Sequence, residues 1–530
     1  MSVSGSQMVE RFSLRQPGAI LLVSCYELGH QPIGIALPMG FLEQAGYAPA
    51  SLDIAVEKVD LERITRARFV GISVPMHTAL RLGVRVAELV RETNPSSHVC
   101  FYGLYASLNA EYLLSPREGA RPPGQEPVSA GLGWAGATAS GEGGCKHAVA
   151  DSVIGGEYEA PLVQLIEALE QGDSLEEVEA VSHRGRIIGP HLKRLPFAVP
   201  SRTGLPALER YAHLERAGAQ HVVGYVEASR GCLHLCLHCP IVPVYEGRFF
   251  IVPAEIVLED IRRQVVAGAT HITFGDPDFL NGPGHSLSIV RAMHAEFPHV
   301  TFDFTAKVEH ILKHRLIFPE LPSLGCLFVI SAVESFSDLV LAKLEKGHTR
   351  ADGFAALEIV RQAGITLRAS LVPFTPWATL DDYLELFDIV GSHDLIDATD
   401  AVQYTIRLLI PPGSALLARS DIHRFLGPLD QAGFQYRWTH PDPRMDKLHQ
   451  EVSAVVEAAA RTSEDPVTTF DRLRAMAYRF ADRQPPAPTA ARTQSFDRRR
   501  PPRLTEPWFC CAEPTESQLH PLHTKGYGEV

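Results

Sequence analysis

Three cysteines fall within eight residues, Cys232, Cys236 and Cys239, in the run Ser229-Arg230-Gly231-Cys232-Leu233-His234-Leu235-Cys236-Leu237-His238-Cys239-Pro240. Thiolates at this C-x3-C-x2-C spacing can converge on one metal centre, either an iron–sulfur cluster or a structural zinc. The loop that carries them follows an apolar strand candidate, Val223–Ala228. The chain must therefore fold into something that presents a loop at the end of a strand and holds it there. The other cysteines are scattered (Cys25, Cys100, Cys145, Cys326) or adjacent (Cys510, Cys511), and nine in 530 residues is odd and sparse. A disulfide framework is not the organising principle.

Strand-like and helix-like segments alternate along most of the chain. Ala19–Val23, Phe69–Ser73, Val99–Gly103 and Ser152–Ile154 are short apolar runs. Between them, Ala36–Gln44, the spacing of Leu82, Val86, Leu89 and Val90, and that of Leu162, Leu165, Ile166 and Leu169 predict helices. Such alternation implies a parallel sheet covered by helices on both faces. Residues 118–144 are rich in Gly, Ala, Pro and Ser and read as an insertion on the rim. A second series begins at Val223, with strands predicted at Val223–Ala228, His271–Phe274, Val300–Thr305, Leu327–Ile330, Leu367–Val372 and Tyr404–Ile410. Six strands with helix-sized connections fit an incomplete β/α barrel. Beyond Ile422 the pattern is helical, and from Gln484 it is rich in Pro and Arg and reads as disordered.

Composition narrows the function. With 49 Lys+Arg against 62 Asp+Glu the formal net charge is −13, which argues against a dedicated nucleic-acid binder. No apolar run approaches the roughly 18 residues needed to span a bilayer, and no secretory signal pattern opens the chain. The expectation is a soluble cytoplasmic protein with neither nucleic acid nor membrane as partner.

The spacing of the three cysteines, their place after the first barrel strand and the βα series that follows resemble the radical S-adenosylmethionine superfamily. The resemblance implies that Cys232, Cys236 and Cys239 ligate a 4Fe–4S cluster. The fourth iron, without a protein ligand, then binds S-adenosylmethionine, whose reductive cleavage releases a 5′-deoxyadenosyl radical. It also implies a reductant such as flavodoxin or ferredoxin. His238 stands where the family usually has an aromatic residue. His234 and His238 interleave the thiols, so a zinc knuckle is the alternative reading, although no second Cys or His pair follows at zinc spacing. Gly275, Asp276 and Asp278, in Phe274-Gly275-Asp276-Pro277-Asp278-Phe279, stand where the family contacts the methionine amine; the alternative is a tight acidic turn. Glu334 and Ser335 resemble a segment near the ribose and methionine carboxylate, the alternative being a helix cap by Ser335. Lys307 and Arg407 are further candidates for the barrel mouth.

A parallel-sheet domain ahead of such a barrel resembles the superfamily's cobalamin-binding domains, on Ala19–Val23, Ile72–His77, Tyr102-Gly103 and Val153-Ile154-Gly155-Gly156-Glu157. Cobalt-ligating members carry Asp-x-His-x-x-Gly. Here Glu27, Gly29, His30, Gln31 and Gly34 do not match it, so His30 reads as an ordinary loop histidine. The tail Glu506-Pro507-Trp508-Phe509-Cys510-Cys511-Ala512-Glu513-Pro514 resembles the CUAEP/CCAEP-tail radical S-adenosylmethionine (seleno)protein group. That resemblance makes Cys510 and Cys511 a candidate redox pair.

The expected architecture is α/β. A doubly wound, cobalamin-binding-like sheet spans 1–171, a connector 172–221, a partial (β/α)6 barrel 222–421, a helical region 422–483 and a flexible tail 484–530. Three functions stay open: a cobalamin-dependent radical enzyme that methylates an unactivated carbon; a cobalamin-independent radical oxidoreductase or maturase using the tail; and a non-enzymatic metal- or thiol-sensing scaffold. The substrate is unknown.

Overall fold

The computed structural model describes residues 13–116, 148–489 and 500–506. The expected insertion at 118–144, Cys145, and the Cys510–Cys511 pair lie outside the described residues.

The first domain runs β1 (Ile20–Ser24), α1 (Ile33–Gln44), β2 (Ala50–Asp53), α2 (Leu61–Arg66), β3 (Phe69–Ser73), α3 (His77–Thr93), β4 (His98–Tyr102), α4 (Leu104–Leu108), α5 (Ala110–Leu114), β5 (Ser152–Ile154), α6 (Glu159–Gln171) and β6 (Ser182–His183). The strands form one sheet in the order β2-β1-β3-β4-β5-β6, parallel except for β6. Its central strands are buried along their length because both faces are covered. The period-two alternation of a strand sends Leu21, Val23, Val70, Ile72 and Phe101 into one apolar layer, with Leu80 and Val84 of α3. Ile20, Leu22, Phe69 and Tyr102 enter the other, with Ile35 and Met39 of α1 and Leu162 and Ile166 of α6.

The second domain runs β7 (His213–Arg216), β8 (Ala219–Val226), β9 (Ser229–Gly231), α7 (Val242–Tyr245), β10 (Phe249–Ile251), α8 (Ala254–Val266), β11 (His271–Phe274), α9 (Pro283–Glu296), β12 (Thr301–Ala306), α10 (Val308–Lys313), β13 (Cys326–Glu334), α11 (Asp338–Leu344), α12 (Arg350–Gln362), β14 (Thr366–Leu371), α13 (Leu380–Ser392), β15 (Leu426–Asp430), β16 (Gln435–Trp438), α14 (Pro443–Thr462), α15 (Pro466–Phe480) and β17 (Arg503–Leu504). Its main sheet has the order β14-β13-β12-β11-β8-β7-β17 and curls into a half barrel. Ile272, Phe274, Phe302, Phe304 and Val329 pack outward on Ile261, Ile289, Val290 and Val360 of the helices. The intervening positions are polar: the Thr273 hydroxyl donates to Asp303 (2.9 Å), and Asp303 is fully buried.

Four expectations change. Of six predicted barrel strands, five form parallel ladders; Tyr404–Ile410 contributes only a bridge between Arg407 and Phe374. Its first residue is instead taken by the 3-10 turn Ala401–Tyr404. The 172–221 connector supplies β6, an antiparallel edge strand, and β7, which pairs antiparallel with β8. The helical region beyond 422 also contains the β15–β16 hairpin. Finally, part of the expected flexible tail is ordered. Arg503 and Leu504 pair antiparallel with Glu215 and Leu214, and Arg503 bonds to Glu215 at 2.7 Å. Leu504 packs against a small apolar cluster with Leu214, Val223 and Phe328. A sequence pattern dominated by Pro and Arg hid the one apolar residue that docks.

Candidate cluster site at the barrel mouth

The cysteine loop leaves the carboxyl end of β8 and is framed by the two-stranded ribbon of β9 and β10. Gly231, immediately before Cys232, has φ +73, and a Cβ there would stand 2.5 Å from the Arg248 carbonyl oxygen. Only glycine makes this turn. At the root of the loop, Asp276 accepts from the Ala228 N–H (2.9 Å) and the Ser229 hydroxyl (2.6 Å); burial raises its carboxyl to about 7. Asn281 accepts from the Leu233 N–H, and the Leu237 N–H donates to the Leu344 carbonyl at 3.0 Å.

The two histidines hold the loop to opposite walls of the barrel. His234, between the first and second cysteines, lies 3.6 Å from Asp278, which also sits 2.8 Å from His310 of α10. His238, between the second and third, lies 3.3 Å from Glu334 at the end of β13. Both carboxylates are buried. Burial pushes Asp278 upward, but the His234 and His310 contacts outweigh it and leave its pKa below the ordinary value. Glu334 is likewise pushed up by burial, yet the Lys346 ammonium at 3.1 Å and His238 hold it down at about 2. Glu334 has φ +61 at an irregularity in the β13–β14 register. Such a conformation costs a non-glycine residue about 1–3 kcal/mol.

Cys236 is buried and Cys232 and Cys239 partly so. Burial pushes the Cys232 thiol up to about 11 and the Cys239 thiol to about 12. With no metal they stay protonated at neutral pH, and a bound cation is what would convert them to thiolates. Three thiols on one loop, with no fourth cysteine among the described residues nearby, fit a cluster with one open iron. The zinc reading weakens on two counts. The interleaved histidines face carboxylates. In addition, the one group of three potential ligands within 4.8 Å of one another among the described residues is His234, Asp278 and His310, without the thiols. Sulfurs around one tetrahedral zinc stand only about 3.8 Å apart, given Zn–S bonds of about 2.3 Å.

The structure brings Cys232, Cys236, Cys239, Gly275, Asp276, Asp278 and Glu334 to one mouth. A Cβ on Gly275 would overlap the Tyr225 hydroxyl, so that glycine serves packing. Ser335 accepts from the Ser337 N–H at 3.1 Å, closing a turn just ahead of α11, whose cap position is Ser337. Lys307 reaches His234 (3.1 Å) and Glu309 (3.2 Å). Arg407 lies apart, ion-paired to Asp446 at 2.8 Å and stacked 3.6 Å from the Trp438 ring. Sequence reasoning missed Lys346 and the two histidine–carboxylate contacts. The only available signal was a lysine twelve residues after Glu334, and nothing in its spacing announces a shared partner.

The carboxyl ends of the first sheet meet the barrel around a buried charge group. Arg230, next to the cysteine loop, reaches Glu159 (2.5 Å), Glu227 (2.9 Å) and Glu157 (3.6 Å), and the Tyr245 hydroxyl donates to Glu157. After β1, Glu27 accepts from the Gly34 N–H (3.0 Å), and the His30 ring stacks on Tyr225 of β8 at 4.5 Å. Burial lowers His30 to about 4. A histidine packed in this way does not fit a cobalt ligand. Gly155 and Gly156 are explained by the chain itself, since Cβ atoms there would meet Ser107 at 2.4 Å and the His191 carbonyl at 2.2 Å.

No protein-family model matches the chain. It is 26% identical over 229 residues to the hopanoid C-3 methylase of Methylococcus capsulatus, covering 43% of each protein. It is 26% identical over 280 residues to the tRNA-2-methylthio-N(6)-dimethylallyladenosine synthase of Desulfosudis oleivorans, covering 49% of this chain and 53% of that protein. The chain thus spans about half the length of these curated relatives. Among solved structures it is similar to the cobalamin-dependent S-adenosylmethionine radical enzyme OxsB with aqua-cobalamin and S-adenosylmethionine bound. The TM-score is 0.62 at 15% identity, over 83% of this chain and 66% of that one. The radical S-adenosylmethionine methyltransferase TsrM of Kitasatospora setae follows, with a TM-score of 0.53 at 15% identity over 75% and 74%. In its half-barrel fold the chain is similar to these radical S-adenosylmethionine enzymes.

Proposed function

We propose that the protein is an enzyme that binds a 4Fe–4S cluster through Cys232, Cys236 and Cys239 and cleaves S-adenosylmethionine reductively. The observation that carries this reading is the thiol loop itself, suspended at the barrel mouth between two buried carboxylates, Asp278 and Glu334. When bound, the cluster supplies the electron that breaks the sulfonium and yields a 5′-deoxyadenosyl radical. The chain's own work is to position and exclude. Asp276 fixes the loop's root, His234 and His238 set its height above the barrel, and the apolar wall behind β11 and β12 keeps water out. Gly275, Asp276, Asp278, Glu334 and Ser335 line the approach on which S-adenosylmethionine would lie. Electrons would come from a flavodoxin- or ferredoxin-like reductant.

Anaerobic incubation with dithionite and S-adenosylmethionine, followed by mass-spectrometric detection of 5′-deoxyadenosine, tests the reading. Accumulation in the native protein but not in Cys236→Ala supports it, and equal background in both removes it.

The methyltransferase TsrM and the methylase relative favour methyl transfer as the reaction, and the cobalamin-dependent enzyme OxsB favours a cobalamin-bearing first domain. Cobalamin on the first domain would provide the methyl carrier, held without a histidine ligand. The alternative is a cobalamin-independent radical oxidoreductase or maturase that uses Cys510 and Cys511. The Tyr26 hydroxyl, just past β1, donates to Glu506 at 3.0 Å. No described helix is long and apolar enough to cross a membrane.

A further inference from the structure

Lys346 follows α11 on a short Glu345-Lys346-Gly347 turn, yet its side chain is only 3% exposed. A buried ammonium is expensive unless it is compensated. Here the compensation is uneven: one carboxylate, Glu334, at 3.1 Å. The turn that carries Lys346 sits against the cysteine loop: the Leu237 N–H donates to the Leu344 carbonyl at 3.0 Å, and Lys346 shares the Glu334 oxygen with His238, so the ammonium lies beside the span from Cys236 to Cys239. The other charged or titratable groups facing it are His238, 3.3 Å from the same Glu334 oxygen, and His348, which contacts the Val333 carbonyl and is pushed down to about 4 by burial and by Lys346. Lys307, the other lysine at the mouth, is turned to His234 and Glu309.

We propose that Lys346 and Glu334 form an electrostatic pair that sets the reduction potential of the cluster on Cys232, Cys236 and Cys239, with Lys346 the positioning residue that eases its reduction. This rests on the cluster reading above. Reduction adds one negative charge to the cluster. A fixed cation alongside stabilises the reduced form and a fixed anion destabilises it, the more so because water is excluded.

The test is an EPR-monitored redox titration of the reconstituted full-length protein without S-adenosylmethionine, in native, Lys346→Met, Lys346→Arg and Glu334→Gln forms. Iron content and circular dichroism are measured on each. At a fixed applied potential, Lys346→Met is expected to lower the ratio of reduced to oxidised cluster about tenfold, or about 59 mV for a one-electron couple. Glu334→Gln is expected to move it the opposite way, and Lys346→Arg to restore the native value. A merely structural contact would shift both single variants alike or not at all. A folded, cluster-bearing Lys346→Met with the native potential overturns the proposal, as does a Glu334→Gln potential that is unchanged or lower. If Lys346→Met takes up no iron, Glu334→Gln decides by the same criterion. A native protein that takes up no iron would instead fail the cluster reading.

Discussion

The two parallel sheets turn their carboxyl ends toward one another and use them differently. At the barrel, the loop after β8 projects three thiols and is held from both sides by histidines on buried carboxylates. At the first domain, the loops after β1 and β5 are filled by the chain's own side chains. Glu27 closes on the Gly34 amide, His30 on the Tyr225 ring, and Glu157 and Glu159 on Arg230. Both edges obey the rule that α/β sheets place ligands beyond their strand ends. One edge leaves ligand atoms without a shared partner of their own, while the other spends its polar groups on joining the domains.

That difference breaks most sharply at the thiols. Replacing any one of Cys232, Cys236 or Cys239 with Ala should abolish iron retention after anaerobic reconstitution, measured as iron and sulfide per chain, while Cys25→Ala leaves both unchanged. On the opposite edge, Arg230→Met removes the cation shared by buried carboxylates. The expected cost is about 3–5 kcal/mol in thermal or urea unfolding at pH 8, shrinking toward acid as Glu157, raised by burial to about 7, takes up its proton. A smaller effect belongs to Glu27, which burial pushes up to about 8 against an ordinary value of 4.5. The folded state therefore binds this proton more tightly than the unfolded one. Its stabilising contribution is complete below pH 4.5 and is lost as pH rises through 8. Urea midpoints should fall between pH 6 and pH 9 more steeply in the native protein than in Glu27→Gln. Smallest of all is His30→Ala: if cobalamin is retained, its cob(II)alamin EPR signal should lack nitrogen splitting in native protein and variant alike.

Much of this was legible in the residues. The strands at Phe69–Ser73, His271–Phe274 and Ser152–Ile154 were read to the residue, because buried parallel strands are continuous apolar runs bounded by turn formers. β2 and β7 were missed because four-residue strands with a single large apolar residue show no period. The candidate metal ligands stood out because cysteine is rare and close spacing is chemically informative. Asp278 and Glu334 were visible as acidic positions at strand ends, but their partners were not. His234, His310, His238 and Lys346 come from three separate elements, and only the curl of the sheet brings them to two carboxylates. Contacts made across a fold leave no local pattern in a single sequence.

The central claim is that the three thiols hold a cluster with one iron open to S-adenosylmethionine. The direct measurement is metal content together with the EPR spectrum of the dithionite-reduced protein, recorded with and without S-adenosylmethionine. The account predicts about four irons per chain and a spectrum that changes on addition of S-adenosylmethionine. One tightly held zinc per chain with no iron signal, or a cluster whose spectrum ignores S-adenosylmethionine, would contradict it.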